Sequence, residues 1–339
     1  MPATMTQLSL SEIEDLAHSA LVAAGATAAN AAPLAHAIMQ AERDGIASHG
    51  LMYLPVYALH LTCGKVDGRA RPVVETPRPG VVRVDAATGF AHPAISAGFA
   101  PLIAAAGLNG IACLAVRNSY NCGVLGHHAE RIAEAGMMAL CFTNAPASIA
   151  PVGGRKPVIG TNPFALATPD GTGGVTLVID QSASVVAKSE VVKRAREGHG
   201  VPEGWVLDAD GKPTTDAQAG LKGSMVPSGG YKGVGIGLMA ELFAAVLSGA
   251  ELGIDAAPFG GTAGGPPKTG QFFVAIDPGV TSGGRFAPQL ARLAKALYAE
   301  EGARLPGSRR LAARARAVEE GVAVSRSLLA EIAALQAAG

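Results

Sequence analysis

The chain is poor in the features that most directly announce a function. Of its 339 residues only 4% are aromatic, with a single Trp, and only 16% are charged. Lys+Arg and Asp+Glu number 27 each, so the formal net charge is zero. No basic run restores a local excess, which removes the electrostatic footprint of a general nucleic-acid binder and of a protein held on an anionic membrane. Cysteine is scarce too: Cys63, Cys113, Cys122 and Cys141 form no CxxC pair. That pattern suits free thiols packed as small hydrophobes in a reducing cytoplasm, with Cys122 set apart by the polar stretch around it. The opening MPATMTQLSLSEIEDL has no basic region followed by an apolar segment,. The stretch Val234 to Leu247 is broken by Glu241 and falls short of the roughly 18 apolar residues of a membrane span. A soluble cytoplasmic protein without nucleic-acid or membrane partners is expected.

What the chain does have is glycine and proline, 44 and 22 residues, within a 49% hydrophobic composition. At roughly 100 to 200 residues per domain the length suggests about two domains. Ser11 with Glu14 reads as a capping box ahead of a helix that stops at Gly25. A second helix is predicted from Thr27 to about Asp44, interrupted by Pro33, and a third over LMYLPVYALHLTCG with Pro55 in its first turn. From Val74 onward short apolar runs bounded by Gly, Pro and Asp signal strands: VVRVDA, GIACLAVR, MMALCFTN, PFALATP, VTLVID and FFVAID. Helix-like stretches at His92 to Ala106 and His127 to Ala135 lie between them, so the middle of the chain reads as α/β. Val234 to Ser248 reads as a buried helix, and Pro288 to Glu301 and Ala312 to Ala338 as two more.

Two common nucleotide signatures are missing. GVGIG at Gly233 to Gly237 does not complete G-x-G-x-x-G, and GGYKGVG lacks the Walker spacing. Four stretches nevertheless combine turn residues with polar groups. Ser48 and His49 can present a hydroxyl and an imidazole into a cleft, or simply cap the preceding helix. Arg117 to Gly123 follows a strand's C-terminal end, where α/β proteins bind ligands, and serves equally as a connecting loop. Pro151 to Gly154 and Gly160 to Pro163 offer backbone N–H groups and the Asn162 amide, or tight turns alone. Ser228 to Gly233, with Lys232, opens a helix whose free N–H groups suit a phosphate or carboxylate, and close packing would require the same glycines. Asp180 with Ser182 to Ser184 adds groups suited to a ribose or a nicotinamide amide. Of the eight histidines, His127 and His128 are adjacent and the others scattered; no metal-ligand spacing emerges.

In this order the stretches resemble the type-2 malate/L-lactate dehydrogenase family of NAD(P)-dependent oxidoreductases, from about Leu8 to Ala317. ASHGLMYLPVY, GTNPFALATP, VIDQSAS, VPEGWVLDADGKPTTD, GSMVPSGGYKG and ARLPGSRR stand where the family has similar words, and the match is closest in tone to its Δ1-piperideine-2-carboxylate, Δ1-pyrroline-2-carboxylate and sulfolactate branches. The resemblance implies an α/β fold: a non-Rossmann cofactor domain over 76–285 with a mixed sheet flanked by helices, and a helical domain from both chain ends, 1–75 and 286–339. It implies a homodimer with the site near the subunit boundary, and NADPH or NADH as cofactor. It assigns Ser48 and His49 to the reacting carbon, with Glu190 as the carboxylate of a Ser-His-carboxylate relay. Asn121, Cys122, Gly123, Val124, Leu125, Asn144, Thr161, Asn162, Asp180, Ser182, Ala183, Ser184, Gly229, Gly230, Lys232, Gly233, Arg304 and Arg309 match its cofactor-contacting segments. Arg310 beside them is a further candidate for the 2′-phosphate of NADPH, or part of a solvated helix-end cluster.

Two departures bear on the substrate. The family's SHG-x-x-Arg places an Arg on the substrate carboxylate, and Tyr53 stands there. Its N-S-x-H places an acid/base His after the strand, and Asn121 stands there. Asn exchanges no proton near neutral pH, so proton transfer falls to His49, with Tyr53 next in line and Tyr53 and Asn121 left to polarise the substrate. Reduction of a cyclic 2-imino acid, whose iminium nitrogen already carries its proton, fits this site better than reduction of a 2-oxo acid. A 2-hydroxy-acid dehydrogenase and a catalytically altered binding protein are the alternatives.

Overall fold

The computed structural model describes residues 5–337. A strand that hydropathy does not announce, β1 (Met5–Leu8), precedes α1 (Leu10–Ala23), α2 (Ala28–Arg43) and α3 (Leu54–Thr62). The capping box lies two residues earlier than predicted: Ser9 Oγ accepts from the Glu12 N–H, and Glu12 reaches back to the Ser9 N–H. Both pairs have the S-x-x-E spacing, and the chain uses the one that starts the helix at Leu10. The α/β part follows as β2 (Val73–Arg78), β3 (Val81–Asp85), α4 (Ala91–Asn109), β4 (Ile111–Ser119), α5 (Leu125–Glu134), β5 (Met138–Thr143), β6 (Phe164–Pro169) and β7 (Val175–Gln181). Then come α6 (Lys188–Arg196), β8 (Val206–Leu207), β9 (Pro213–Thr214), α7 (Ala217–Lys222), β10 (Ser224–Met225) and α8 (Tyr231–Glu241), which continues as a π-helical turn over Leu242–Leu247. The chain closes with β11 (Thr269–Ile276), α9 (Pro278–Ser282), α10 (Phe286–Tyr298), α11 (Ser308–Glu320), β12 (Val322–Ser325) and α12 (Arg326–Ala337).

Seven strands form a mixed sheet in the order β2-β3-β4-β11-β5-β6-β7. Only β3 and β4 run parallel, and α4 is the crossover that a parallel pair requires,. One face buries Val82, Leu114 and Phe273 against α4 and α5, through Ile95, Leu102 and Ile132. The other face carries Phe142 and Phe272 under Phe243 of the π turn, with Phe142 and Phe243 stacked at 4.5 Å. Among the described residues α4 is the one helix long and apolar enough to cross a membrane. Here it lies packed between the sheet and α2.

A second core joins the two chain ends. Ile13, Leu21, Leu34, Ile38, Leu54 and Tyr57 pack with Val324 and Ile332, while β1 pairs antiparallel with β12. The stretch predicted as one helix from Ala312 to Ala338 is therefore two helices, because Val322–Ser325 leaves the helix to pair with β1. The helix predicted as buried from Val234 to Ser248 is half bare: Leu242, Val246 and Leu247 are 55, 55 and 62% exposed. A third cluster, around Ile149, Val191 and Val206, joins α6 and α7 to the small sheet β10-β8-β9.

Candidate active site

The end of α2 sets up the first candidate pair. Asp44 closes the helix, and a 3-10 turn over Ala47–His49 brings Ser48 Oγ within 3.0 Å of His49 Nδ1. The turn is braced from below by the buried Glu42 carboxyl, which accepts the Leu51 N–H at 2.7 Å. A Cβ on Gly50 would collide with that carboxyl, so glycine is required in S-H-G for a packing reason. Burial pushes His49 below its ordinary value; Asp180 opposes the shift and His127 adds to it. His49 is thus a stronger acid than a free imidazole.

Asp180, at the end of β7, is the carboxylate whose field reaches His49. It accepts from the Gly126 N–H at 3.0 Å and from Arg310 Nη2 at 3.2 Å. A Cβ on Gly126 would lie 2.5 Å from Arg310 Nη1 and 2.7 Å from Asp180 Oδ2, so only glycine lets this ion pair lie across the start of α5. Arg310 Nη1 is buried and has no partner. Glu190, by contrast, accepts from Arg194 on its own helix at 2.9 Å and makes no recorded hydrogen bond to Ser48 or His49. Within one chain, Asp180 is the carboxylate whose charge opposes the lowering of His49.

Aromatic residues, few in the sequence, gather around Tyr53, which follows His49 in the chain. Tyr53 lies edge-on to Tyr57 at 4.8 Å, and Tyr120 packs on Tyr57, Phe90 and Phe259 at 6.0, 5.9 and 5.7 Å. The Gly-rich loop after Pro258 is strapped over them: Tyr53 Oη donates to Phe259 O at 3.3 Å, His60 bonds Gly261 O, and the buried Lys65 ammonium donates to Pro258 O and Ala263 O. Burial raises the Tyr53 phenol, with hydrogen bonds to Asn121 and Tyr120 opposing, so it stays a donor. Asn121 Oδ1 accepts the Gly123 N–H at 2.7 Å, which fixes the loop leading into α5.

The remaining predicted residues divide into those open to a ligand and those turned into the protein. Gly229 and Gly230 have φ of 70° and 64° with nothing within 4 Å, and they open α8, whose N-terminus has no side-chain cap. Lys232, Arg304 and Arg309 are exposed. Gly233 is instead a packing glycine, pressed on the Ser228 backbone. Asn144 is 1% exposed and holds Glu251 O and the Gly270 N–H; Asn162 is 0% exposed and holds Gly237 O, Glu241 and the Ala145 N–H. Both side chains act as loop pins in this structure. Cys122, Val124, Leu125 and Ala183 are buried, and Thr161 O accepts the Ala183 N–H. Ser182 and Ser184 bond to each other at 3.1 Å. The Cys122 thiol, pushed up to about 12 by burial, is a core group.

Behind His49 lies a charged network that the spacing of residues did not reveal. His127 Nε2 meets Asp44 Oδ2 at 3.1 Å, Arg314 grips Asp44 at 3.0 and 2.7 Å and Glu130 at 3.2 and 3.0 Å, and Arg43 reaches Asp44 at 2.9 Å. Asp44, His127 and Glu130 have a cation-ligand arrangement, but the Arg314 guanidinium already supplies the cation. Asp44 and His127 are visible in the sequence as singular residues; their pairing across 83 positions is not.

A family model described as malate/L-lactate dehydrogenase matches residues 8–333. The chain belongs to this family. It is 44% identical over 307 residues to (2R)-3-sulfolactate dehydrogenase (NADP(+)) of Chromohalobacter salexigens, covering 91% of each chain. It is 40% identical over 332 residues to Δ1-pyrroline-2-carboxylate reductase of Ancylobacter novellus, covering 97% of each. The crystal structure of Δ1-piperideine-2-carboxylate reductase from Pseudomonas syringae superposes with a TM-score of 0.91 at 36% identity, over 97% of this chain and 99% of that one. The mixed seven-stranded sheet with flanking helices is thus the architecture of this malate/L-lactate dehydrogenase family member and of its structural neighbour.

Proposed function

We propose that the protein is an NADPH-dependent oxidoreductase that reduces the C=N of a cyclic 2-imino acid. Membership of the family and the three relatives support reduction of an imino or oxo acid, and the sulfolactate dehydrogenase, named for NADP(+), supports that cofactor. The observation that carries the imine reading is the pair of side chains at positions 53 and 121, with the aromatic cluster around Tyr53. Where an Arg and a His are expected, the site presents a protonated phenol at Tyr53 and an amide at Asn121, among Tyr57, Tyr120 and Phe259. That surround suits a ring more than a second anionic group. The 44% identity to sulfolactate dehydrogenase favours a second reading, reduction of a 2-oxo acid.

The residues fit the cofactor. Arg310 offers a buried donor without a partner, and Gly229 leaves its backbone N–H free beside the uncapped start of α8, a setting suited to phosphate,. When bound, NADPH supplies the hydride. His49 would supply the one proton that a neutral imine nitrogen or a carbonyl oxygen needs and an already protonated iminium does not, Ser48 fixes the imidazole through Nδ1, and Asp180 partly restores the proton affinity that burial removes. Tyr53 and Asn121 orient the substrate against the aromatic wall, and the strapped loop excludes water.

Two copies complete the assembly in this reading. The exposed apolar side of α8 and its π turn (Ile236, Leu242, Val246, Leu247), with Leu293 and Leu297 of α10, is the surface a second chain covers,. Glu190, half-buried on α6 and paired with Arg194, then reaches the Ser48–His49 pair of the partner. The two chain ends act as the helical substrate and dimer unit around the sheet-based cofactor unit.

The test follows loss of reduced-cofactor absorbance with Δ1-pyrroline-2-carboxylate, Δ1-piperideine-2-carboxylate, sulfopyruvate, oxaloacetate and pyruvate. Turnover of oxo acids without turnover of imines rejects the imine reading, and no binding of either cofactor rejects the whole assignment. His49→Ala is expected to abolish turnover and leave cofactor binding intact; retained turnover moves the proton donor elsewhere.

A further inference from the structure

A small cavity between the start of α6, the loop after β5 and the strand β10 collects hydrogen-bond donors that meet no acceptor. Its volume is about 60 Å³, and Lys188, Ser148, Ser224, Gly220 and Gly223 are among the residues that line it. Pockets for whole drug-sized molecules begin at about 300 Å³, so this one has room for a single small group. Lys188 Nζ donates to Ser148 Oγ at 2.9 Å, and Ser148 Oγ donates in turn to Pro146 O at 3.0 Å. Two of the three ammonium N–H groups are left uncommitted. Lys188 forms no ion pair among the described residues, and Glu190, the acid nearest to it in sequence, is taken by Arg194. Burial around the ammonium pushes Lys188 below its ordinary value, although the residue as a whole is exposed. Ser224, 2% exposed, adds a buried Oγ with no partner. A buried hydroxyl left unpaired is destabilising, so this one calls for an acceptor.

The lining is held in place by the backbone. The Met225 N–H donates to Ser148 O at 2.7 Å, which ties the loop after β5 to the strand that carries Ser224. A Cβ on Gly220 would collide with Val206, and one on Gly223 with the backbone of Leu207 and Asp208, so the end of α7 is fixed against β8. No carboxylate lines the cavity. A metal ion would be repelled by the ammonium, and an apolar group would leave the donors unpaired; an anion satisfies both. We propose that Lys188, Ser148 and Ser224 form a binding site for one small oxyanion, a carboxylate or phosphate group. Two sources supply such a group: the acid end of the substrate, to which Tyr53 offers no positive charge, and free phosphate. The first source rests on the function proposed above; the site itself does not.

The experiment titrates the full-length protein, Lys188→Met and Ser224→Ala with inorganic phosphate at constant ionic strength and reads Tm by calorimetry. Phosphate bound elsewhere, and its general stabilising effect, act on all three alike, so the readout is the difference in Tm rise. At about ten times its Kd the site adds about 2 °C in the wild type, and Lys188→Met is expected to lose that increment. Ser224→Ala separates a hydroxyl that awaits a ligand from one used by the fold. Removing an unpartnered hydroxyl leaves Tm in phosphate-free buffer unchanged or higher and reduces the rise. Equal rises in wild type and Lys188→Met overturn the proposal, as does a Ser224→Ala protein that starts lower and keeps the full rise. If Lys188→Met does not fold, Ser224→Ala decides. Initial rates then identify the source. Phosphate that competes with the acid substrate, with KM raised and NADPH affinity unchanged in Lys188→Met, assigns the substrate's acid group; a Tm rise without competition assigns free phosphate. The Tm measurement needs no turnover, so a failure of the proposed reaction and a failure of this site are distinct.

Discussion

Replacing Asp44 by Asn keeps the side chain's volume and removes its charge. The carboxylate is enclosed and receives His127 at 3.1 Å, Arg314 at 3.0 and 2.7 Å, and Arg43 at 2.9 Å. An amide has one accepting oxygen, and its NH2 would face donors that now meet an acceptor. Removing one partner of a buried ion pair costs about 3–5 kcal/mol. At about 2.1 cal/mol/K per residue, the 339 residues give an unfolding entropy of about 0.7 kcal/mol/K, so Tm falls by about 4–7 °C near neutral pH,. Burial alone would raise the Asp44 carboxyl, but hydrogen bonds from His127, Arg314 and Arg43 outweigh it and hold the group far below the usual carboxylate range. A group depressed in the folded state contributes its full stability above the unfolded value of about 3.9 and loses it as pH falls further. The Tm gap between wild type and Asp44→Asn is therefore expected to be flat from about pH 8 to 5 and to narrow below about pH 4. Calorimetry over a pH series measures it. A gap under about 1 °C at pH 7 refutes the energetic reasoning, and a gap that persists undiminished to pH 3 refutes the charge as its cause.

Gly126→Ala places a Cβ 2.5 Å from Arg310 Nη1; overpacking of this kind costs about 1–3 kcal/mol, and lower Tm with weaker NADPH binding in a fluorescence titration is the expected result. In the native protein Cys63 alone is expected to react quickly with a thiol reagent: it is exposed, whereas burial raises Cys113, Cys122 and Cys141,. More than one fast thiol contradicts this packing. Leu242→Glu, on the bare side of the π turn, is expected to shift the light-scattering mass from two chains to one; an unchanged mass removes this face from the dimer.

Strand runs such as GIACLAVR and FFVAID were legible because a central strand buried on both faces is apolar throughout,. Order within the sheet was not, since nothing local tells Thr269–Ile276 to insert between β4 and β5. The break at Val322–Ser325 was hidden for a similar reason: the partner that pulls it out of the helix is Met5–Leu8, at the other end of the chain. At the site, the Ser48–His49 turn and Asp180 stood out by residue type. Asn144 and Asn162 stood out equally, yet their amides pin loops. An Asn that satisfies buried backbone and one that awaits a ligand look the same in sequence, because the difference lies in partners more than a hundred residues away in the case of Asn144.

The zero net charge of the chain conceals a separation of roles at the site. At positions 53 and 121, where charge would touch the substrate, the chain carries a phenol and an amide. One layer behind, it places Asp44, His127, Glu130, Asp180, Arg310 and Arg314, all paired and at least half-buried. In the proposed site the groups at 53 and 121 would select the substrate by shape and hydrogen bonding, while the buried ion pairs hold α2, α5 and α11 together. The two layers can then be altered independently. Exchanges at Tyr53 or Asn121 should change KM and the ratio of imine to oxo-acid turnover with Tm little changed, and exchanges at Asp44 or Glu130 should lower Tm with that ratio unchanged. A variant at Tyr53 or Asn121 that lowers Tm as far as Asp44→Asn would mean that substrate contact and the bracing of the helices are not separable here.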